Sequence, residues 1–262
     1  QVKKHNIDFH AGFGTFTDKN TITVNDTTIT AETFIIATGS KPKTLPNLNV
    51  NESEVVYAKD IFQMKSIPKS MTIIGAGAIG VEFAYFFNSF GTDVTLIEAE
   101  ETILPNEDKE VSQWVEKVFK KKKINVLTGT LAENIDDKKV LISIGVEGNS
   151  TGMGLKGLGL EFSDNNHIAV NEHGKTNIDN IYAVGDVIGA PWLAHVSAAE
   201  GLYVSEHLCG LNPKQIDYNS IPACTYSKPE VASIGATEQT LVDSNVEFKV
   251  AKSFFISNGK AV

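Results

Sequence analysis

Met71-Thr72-Ile73-Ile74-Gly75-Ala76-Gly77-Ala78-Ile79-Gly80-Val81-Glu82 is the stretch that decides the fold. An apolar run, Met71 to Ile74, passes directly into a Gly-x-Gly-x-x-Gly turn, and Ile79 to Phe90 continues with helical character. The next apolar run, Val94 to Ile97, ends at an acid, Glu98, 18 residues beyond Gly80. Strand, glycine turn, helix, strand and an acid after about 20 residues form the dinucleotide-binding βαβ fingerprint. It implies a parallel sheet and an α/β fold. Gly75 permits the tight turn, Gly77 lets a pyrophosphate approach the backbone, and Gly80 lets helix and strand pack closely. The helix amino end adds unpaired N–H groups and partial positive charge. Glu98 can accept from adenosine ribose hydroxyls and would repel a 2′-phosphate, which favours NAD over NADP. The same string recurs at Gly152-Met153-Gly154-Leu155-Lys156-Gly157. No strand runs into that copy and Gly159 interrupts any helix after it, so a loop is expected there.

Working outward, Thr21–Val24 and Thr27–Thr30 around Asn25-Asp26 predict a hairpin. Thr33 to Ala37 is a short buried strand ending at Thr38-Gly39-Ser40, and Asn47 to Glu54 is a polar connection. Val111, Trp114, Val115, Val118 and Phe119 predict one apolar helical stripe. Lys120 to Lys123 complement that helix's carboxyl end. Val140 to Ile144 is a strand ending at Gly145, His167 to Gly174 a strand and turn, and Ile181 to Val184 a strand ending at Gly185-Asp186. A helix is expected from Leu193 to Leu208, stopped by Gly210.

The chain has 262 residues, a formal net charge of −9, 42% hydrophobic residues, and no arginine. Such a chain buries a sizeable core, and its acidity speaks against nucleic acid or anionic membrane as partners. The first twenty residues lack a signal-peptide core, and the apolar stretch Met71 to Phe87 carries Glu82 and three glycines, so no span is expected. Two cysteines, Cys209 and Cys224, are too few for a disulfide scaffold and fit a reducing compartment; both are expected to be buried thiols. No histidine stands at metal-ligand spacing, and no metal is expected. Asp186, at a strand end, is either an acceptor for sugar-like hydroxyls or a turn residue. The start at Gln1 and the polar tail Ser257-Asn258-Gly259-Lys260 read as a piece of a longer protein.

Taken in order, Ile35 to Ser40, Gly75 to Glu82, Ile103 to Asp108, Ala183 to Val187, Leu193 to Val196, Ala199-Glu200-Gly201, Pro222 to Tyr226 and Pro229 to Ala232 resemble the pyridine nucleotide–disulfide oxidoreductases (class I), and within them the branch acting on dihydrolipoamide. The resemblance implies an NAD-binding Rossmann-like domain inserted in an FAD-binding domain, followed by the start of an α+β dimerisation domain. The implied boundaries are 1–66 and 147–215 for the FAD-binding and central parts, 67–146 for the NAD-binding domain, and 216–262 for the incomplete dimerisation domain. Gly14, Thr38, Gly39, Ser40, Asp186, Trp192, Leu193, Ala194 and His195 are implied FAD contacts. Gly75, Ala76, Gly77, Ala78, Ile79, Gly80, Val81, Glu82, Glu98 and Gly145 are implied NAD contacts.

The implied reaction oxidises protein-bound dihydrolipoamide through an enzyme disulfide and FAD, with a hydride passing to NAD. The implied partners are the lipoyl domain of a 2-oxoacid dehydrogenase complex and, in the full-length parent, a second copy as homodimer, in the cytoplasm or a mitochondrial matrix. Alternatives are a non-catalytic NAD/FAD-binding module, or a related NADH oxidase or disulfide reductase. Four departures stand out. The family's first dinucleotide fingerprint and redox CxxxxC pair do not occur here, and its catalytic His–Glu pair is expected beyond Val262. No catalytic residue is therefore assigned, and the piece alone is expected to be inactive. The segment from Gly129 to Gly145 is short, and Val146 and Glu147 replace an arginine pair, which affects NAD-domain packing and one wall of the adenine site.

Overall fold

The computed structural model describes residues 2–46, 48, 55–133, 135 and 139–259. Most of the polar connection Asn47 to Glu54, part of the short Gly129–Gly145 segment, and Lys260 of the polar tail lie outside the described residues.

Strands β1 (Gly14–Asp18), β2 (Thr21–Val24) and β3 (Thr27–Thr30) form an antiparallel sheet. The expected hairpin is β2–β3, with Val24 opposite Thr27 and Asn25 in the left-handed region at φ 52°, a conformation Asn tolerates. Then come β4 (Phe34–Ile36), β5 (Ser40–Pro42), β6 (Val55–Tyr57) and the short α1 (Ala58–Ile61). The next unit runs β7 (Ser70–Ile74), α2 (Ala78–Ser89), β8 (Asp93–Ile97), α3 (Lys109–Lys121), β9 (Asn125–Leu127) and β10 (Val140–Ile142). These strands, with β6, make a parallel sheet in the order β6-β10-β7-β8-β9. Strand β11 (Val146–Gly148) returns antiparallel to β5, and β12 (Ile181–Ala183) lies parallel to β4. Helix α4 (Ala194–Leu208), the hairpin β13 (Ala223–Thr225) and β14 (Val231–Ser233), and α5 (Glu238–Asp243) complete the order.

The apolar run of β7 reads as a parallel strand buried on both faces, and Met71 to Ile74 are all buried. Phe87 of α2 and Phe119 of α3 pack into this core; each large side chain taken from water contributes about 1.5–3 kcal/mol. Helix α2 ends at Gly91, whose φ of 88° allows the Gly91 and Thr92 amides to reach the Asn88 and Phe87 carbonyls at 3.0 and 3.1 Å. That is the left-handed stop for which glycine suits best. A second core gathers Phe16, Ile36, Leu155, Ile168 and Ile181 around β4 and β12.

Some expectations need correction. The α3 stripe is rotated: Ser112, Val115 and Phe119 are buried, whereas Val111 is exposed and Trp114 is 58% exposed. The Ser112 hydroxyl donates to the Leu104 carbonyl at 3.1 Å, so a polar residue holds a core position, and Trp114 lies instead under the Lys117 ammonium. Cys209 and Cys224 are exposed free thiols rather than buried ones. Cys209 is the carboxyl cap of α4, and Cys224 takes the outward position of β13. The His167–Gly174 strand reduces to an isolated bridge of Ile168 with Phe162 and a turn at Gly174. The Gly152–Gly157 copy is a loop with a short 3-10 turn at Leu155–Leu158.

Strands β5 and β11 flank the chain's entry to and exit from the parallel-sheet unit. Their pairing aligns Lys41 with Glu147, and the two side chains form an ion pair at 3.1 Å. The Lys41 ammonium holds the Glu147 carboxyl below its ordinary range. Among the described residues, no helix is long and apolar enough to cross a membrane.

Candidate functional site

In the parallel sheet, β7 leads through α2 to β8 on one side, while β10 lies on its other side. Strand order therefore reverses at the carboxyl end of β7, where open α/β sheets form their ligand crevice. The Gly75–Gly80 turn occupies that point, and its three glycines differ in what constrains them. Gly75 has φ 95°, and a Cβ there would lie 2.5 Å from the Ser143 carbonyl oxygen. A Cβ on Gly80 would meet the Gly75 carbonyl oxygen at 1.8 Å. Gly77 has an ordinary φ of −69° and nothing within 4 Å of where a Cβ would stand. Neither backbone nor packing demands glycine at 77, and the open space above it is what a phosphate approaching the backbone needs.

Gly77 caps α2 through its backbone alone. The Val81 amide is the first to close on it, at 3.0 Å, so the Ala78, Ile79 and Gly80 amides precede the helix's internal acceptors. Ala78 and Ile79 are exposed. Ala76 serves differently: its amide donates to Glu98 Oε2 at 2.6 Å, and its carbonyl accepts the Leu104 amide at 2.7 Å. Glu98 ends β8 at 9% exposure, and its Oε1 also accepts the Glu100 amide at 3.0 Å. An ionised carboxylate offers about four acceptor positions, so two remain for hydroxyl donors. Ser143, just past β10, donates through Oγ to the Gly75 carbonyl at 2.8 Å, and Gly145, two residues on, has φ 96° and open space. Gly75 to Gly80, Glu98 and Gly145 thus gather at one sheet edge. Val81 is fully buried in the core. Glu82 turns to the β13 side, where its Oε1 accepts the Tyr226 amide at 2.7 Å.

A second edge lies where β4 and β12 end side by side. Gly39 has φ 72° with open space, and its carbonyl accepts the Asn149 amide at 2.9 Å. The Thr38 carbonyl accepts from Asn149 Nδ2 at 3.3 Å. Ser40 Oγ donates to Asp186 Oδ2 at 2.9 Å, which joins the two strand ends. Leu193 caps α4 with no side-chain bond, so the amides of Ala194 and His195 start that helix, and both residues are exposed. The Trp192 ring stacks on His167, with centroids 6.0 Å apart. Gly14 opens β1 opposite Val24 on the antiparallel sheet, apart from this edge's hydrogen bonds. Sequence reasoning assigns no role to Ser143 or Glu200. Both act by tertiary hydrogen bonds, and for Glu200 the Ala-Glu-Gly stretch is the available signal.

Together the edges can hold two extended anionic ligands: amide-rich turns for phosphates, and acids for hydroxyl groups. Residues 1–201 match the family described as pyridine nucleotide-disulphide oxidoreductase, and residues 221–262 match its dimerisation domain. The chain is 36% identical to a dihydrolipoyl dehydrogenase of Bacillus subtilis (strain 168), with 100% of this chain and 62% of the relative covered. It is 37% identical to one of Mycobacterium leprae (strain TN), with 99% and 62% covered. The HOCl-induced flavoprotein disulfide reductase RclA from Escherichia coli shares the fold, with a TM-score of 0.88 at 23% identity, covering 97% of this chain and 63% of that one. The chain therefore spans less than two thirds of the length of these relatives.

Proposed function

The chain belongs to the pyridine nucleotide-disulphide oxidoreductase family, and we propose that it is the nucleotide-handling part of an FAD- and NAD-dependent dihydrolipoyl dehydrogenase. The observation that carries this reading is the turn itself: Gly77 stands open where no internal constraint requires glycine, beside an acid braced by the neighbouring amide. The NAD pyrophosphate would lie over Gly77 against the Ala78, Ile79 and Gly80 amides, with the adenosine ribose at Glu98. Negative charge at Glu98 would disfavour a 2′-phosphate there, because a second like charge beside a buried carboxylate is costly.

FAD would be held at the β4–β12 edge, with Gly39 admitting the ligand to the backbone, Asp186 accepting from hydroxyls, and the start of α4 offering amides. When bound, the two cofactors supply two-electron transfer from a dithiol to NAD; this chain's residues bind, orient and exclude water. The dithiol donor would be dihydrolipoamide on a lipoyl domain of a 2-oxoacid dehydrogenase complex, in the cytoplasm or a mitochondrial matrix. The dimerisation-domain match over 221–262 supports assembly of the whole protein as a homodimer. Cys209 and Cys224, single exposed thiols outside any CxxxxC spacing, do not supply the redox disulfide, so we infer that residues 1–262 alone do not turn over dihydrolipoamide. The test is titration of the chain with NADH and FAD, each followed by fluorescence, alongside a dihydrolipoamide assay. Binding without turnover is the expected result; the absence of NADH binding would overturn the reading.

A further inference from the structure

We propose that Glu200 is a positioning residue for Asp186, so that flavin affinity at the β4–β12 edge depends on a carboxylate that does not touch the ligand. This rests on the flavin assignment above. Glu200 lies in α4 at 6% exposure. A carboxyl group in such a place needs donors to replace its water. Both donors come from elsewhere in the chain. Gly185 donates its amide to Oε2 at 2.6 Å, and Tyr218 donates its hydroxyl to Oε1 at 2.8 Å.

Gly185 is where a brace is needed. Its φ of 76° is left-handed, and a Cβ there would come within 3.1 Å of Ser197 Oγ. The next residue is Asp186, whose side chain is already turned toward Ser40. The Gly185 amide lies in the Val184–Gly185 peptide plane, so holding it sets where the left-handed Gly185 turn begins, one residue ahead of Asp186. The second bond extends the brace to Tyr218, three residues ahead of the segment that matches the dimerisation domain. The series Tyr218, Glu200, Gly185, Asp186, Ser40 thus runs through three hydrogen bonds and one backbone link from just ahead of that segment to the start of β5. Removing Glu200 takes the acceptor from the part-buried Gly185 amide and lets the Asp186 turn relax.

The experiment is an FAD fluorescence titration of the reconstituted chain, with NADH affinity measured in parallel to monitor the fold. Glu200→Leu is expected to weaken FAD on the order of tenfold, the effect of losing one charge-assisted hydrogen bond, and to leave NADH unchanged. Glu200→Gln is expected to stay within about threefold, since its amide oxygen can accept from Gly185 while its NH2 donates to the Tyr218 oxygen. In an Asp186→Asn background, Glu200→Leu should add less than about twofold, because it acts through Asp186. Equal losses in both backgrounds would make Glu200 merely structural and overturn the proposal, as would unchanged FAD affinity in Glu200→Leu. Should that variant lose NADH binding, Tyr218→Phe decides: an FAD loss confined to the Asp186 background supports the brace, and no loss overturns it. A wild-type chain that binds NADH but no FAD fails the flavin assignment itself, and the proposal with it.

Discussion

The Glu98 carboxylate and the Ala76 amide, 22 residues apart, meet in a 2.6 Å hydrogen bond that ties the acid at the end of one strand to the glycine turn at the end of its neighbour. The acid is therefore part of the turn's construction as well as a potential ligand group. It stands beside the open backbone of Gly77, so in the proposed binding mode the size and charge of the ribose substituent would be sensed next to the phosphates.

Glu98→Gln keeps the shape and removes the charge. It is expected to weaken NADH on the order of tenfold, the scale of one hydrogen bond to a charged group, and to narrow the preference over NADPH. Paired fluorescence titrations with the two nucleotides check this.

Gly77→Ala and Gly80→Ala should separate binding from folding. The first puts a methyl into open space and should leave thermal unfolding nearly unchanged while weakening NADH. The second drives a methyl against the Gly75 carbonyl and should cost about 2–4 kcal/mol of stability, read as a lowered urea midpoint.

The pair joining β5 and β11 predicts an acid effect. Lys41 lowers the folded Glu147 carboxyl below its ordinary value of 4.5. Its contribution is therefore complete above that value and is lost as pH falls through the lowered one. Because both side chains are partly exposed, the contribution is below about 1 kcal/mol. Urea midpoints at neutral and acid pH should converge slightly between wild type and Lys41→Gln as the pH drops.

Tyr218 predicts an alkaline counterpart. Burial, with Glu200 adding to it, pushes its phenol above the ordinary 10.0. A raised folded value means that its contribution is intact through neutral pH and is lost only in strong alkali. Ultraviolet titration should reveal one late-ionising tyrosine, absent from Tyr218→Phe.

The parallel-sheet unit is legible in the sequence because its signals are local: the β7 run, the glycine spacing and Glu98 fall within about thirty residues and obey one periodicity rule. The β2–β3 hairpin is legible for the same reason. The α3 face departs from its apolar stripe because Ser112 finds its acceptor at Leu104, outside the helix, and no helical pattern encodes that. The thiols depart from expectation because cysteine's general preference for burial gives way to a helix cap and an edge strand. Ser40 and Asp186 stand 146 residues apart, so their meeting depends on the pairing of β4 with β12. Glu200 is visible in the sequence as a residue but not as a brace, since its two donors arrive from separate segments.

The most direct measurement is competitive titration of residues 1–262 with NADH and NADPH at low and moderate salt. Binding of NADH with a clear preference over NADPH, abolished by bulk at Gly77 and reduced by Glu98→Gln, is the predicted result. Equal affinity for the two nucleotides, or NADH binding that is indifferent to Gly77, would contradict the account.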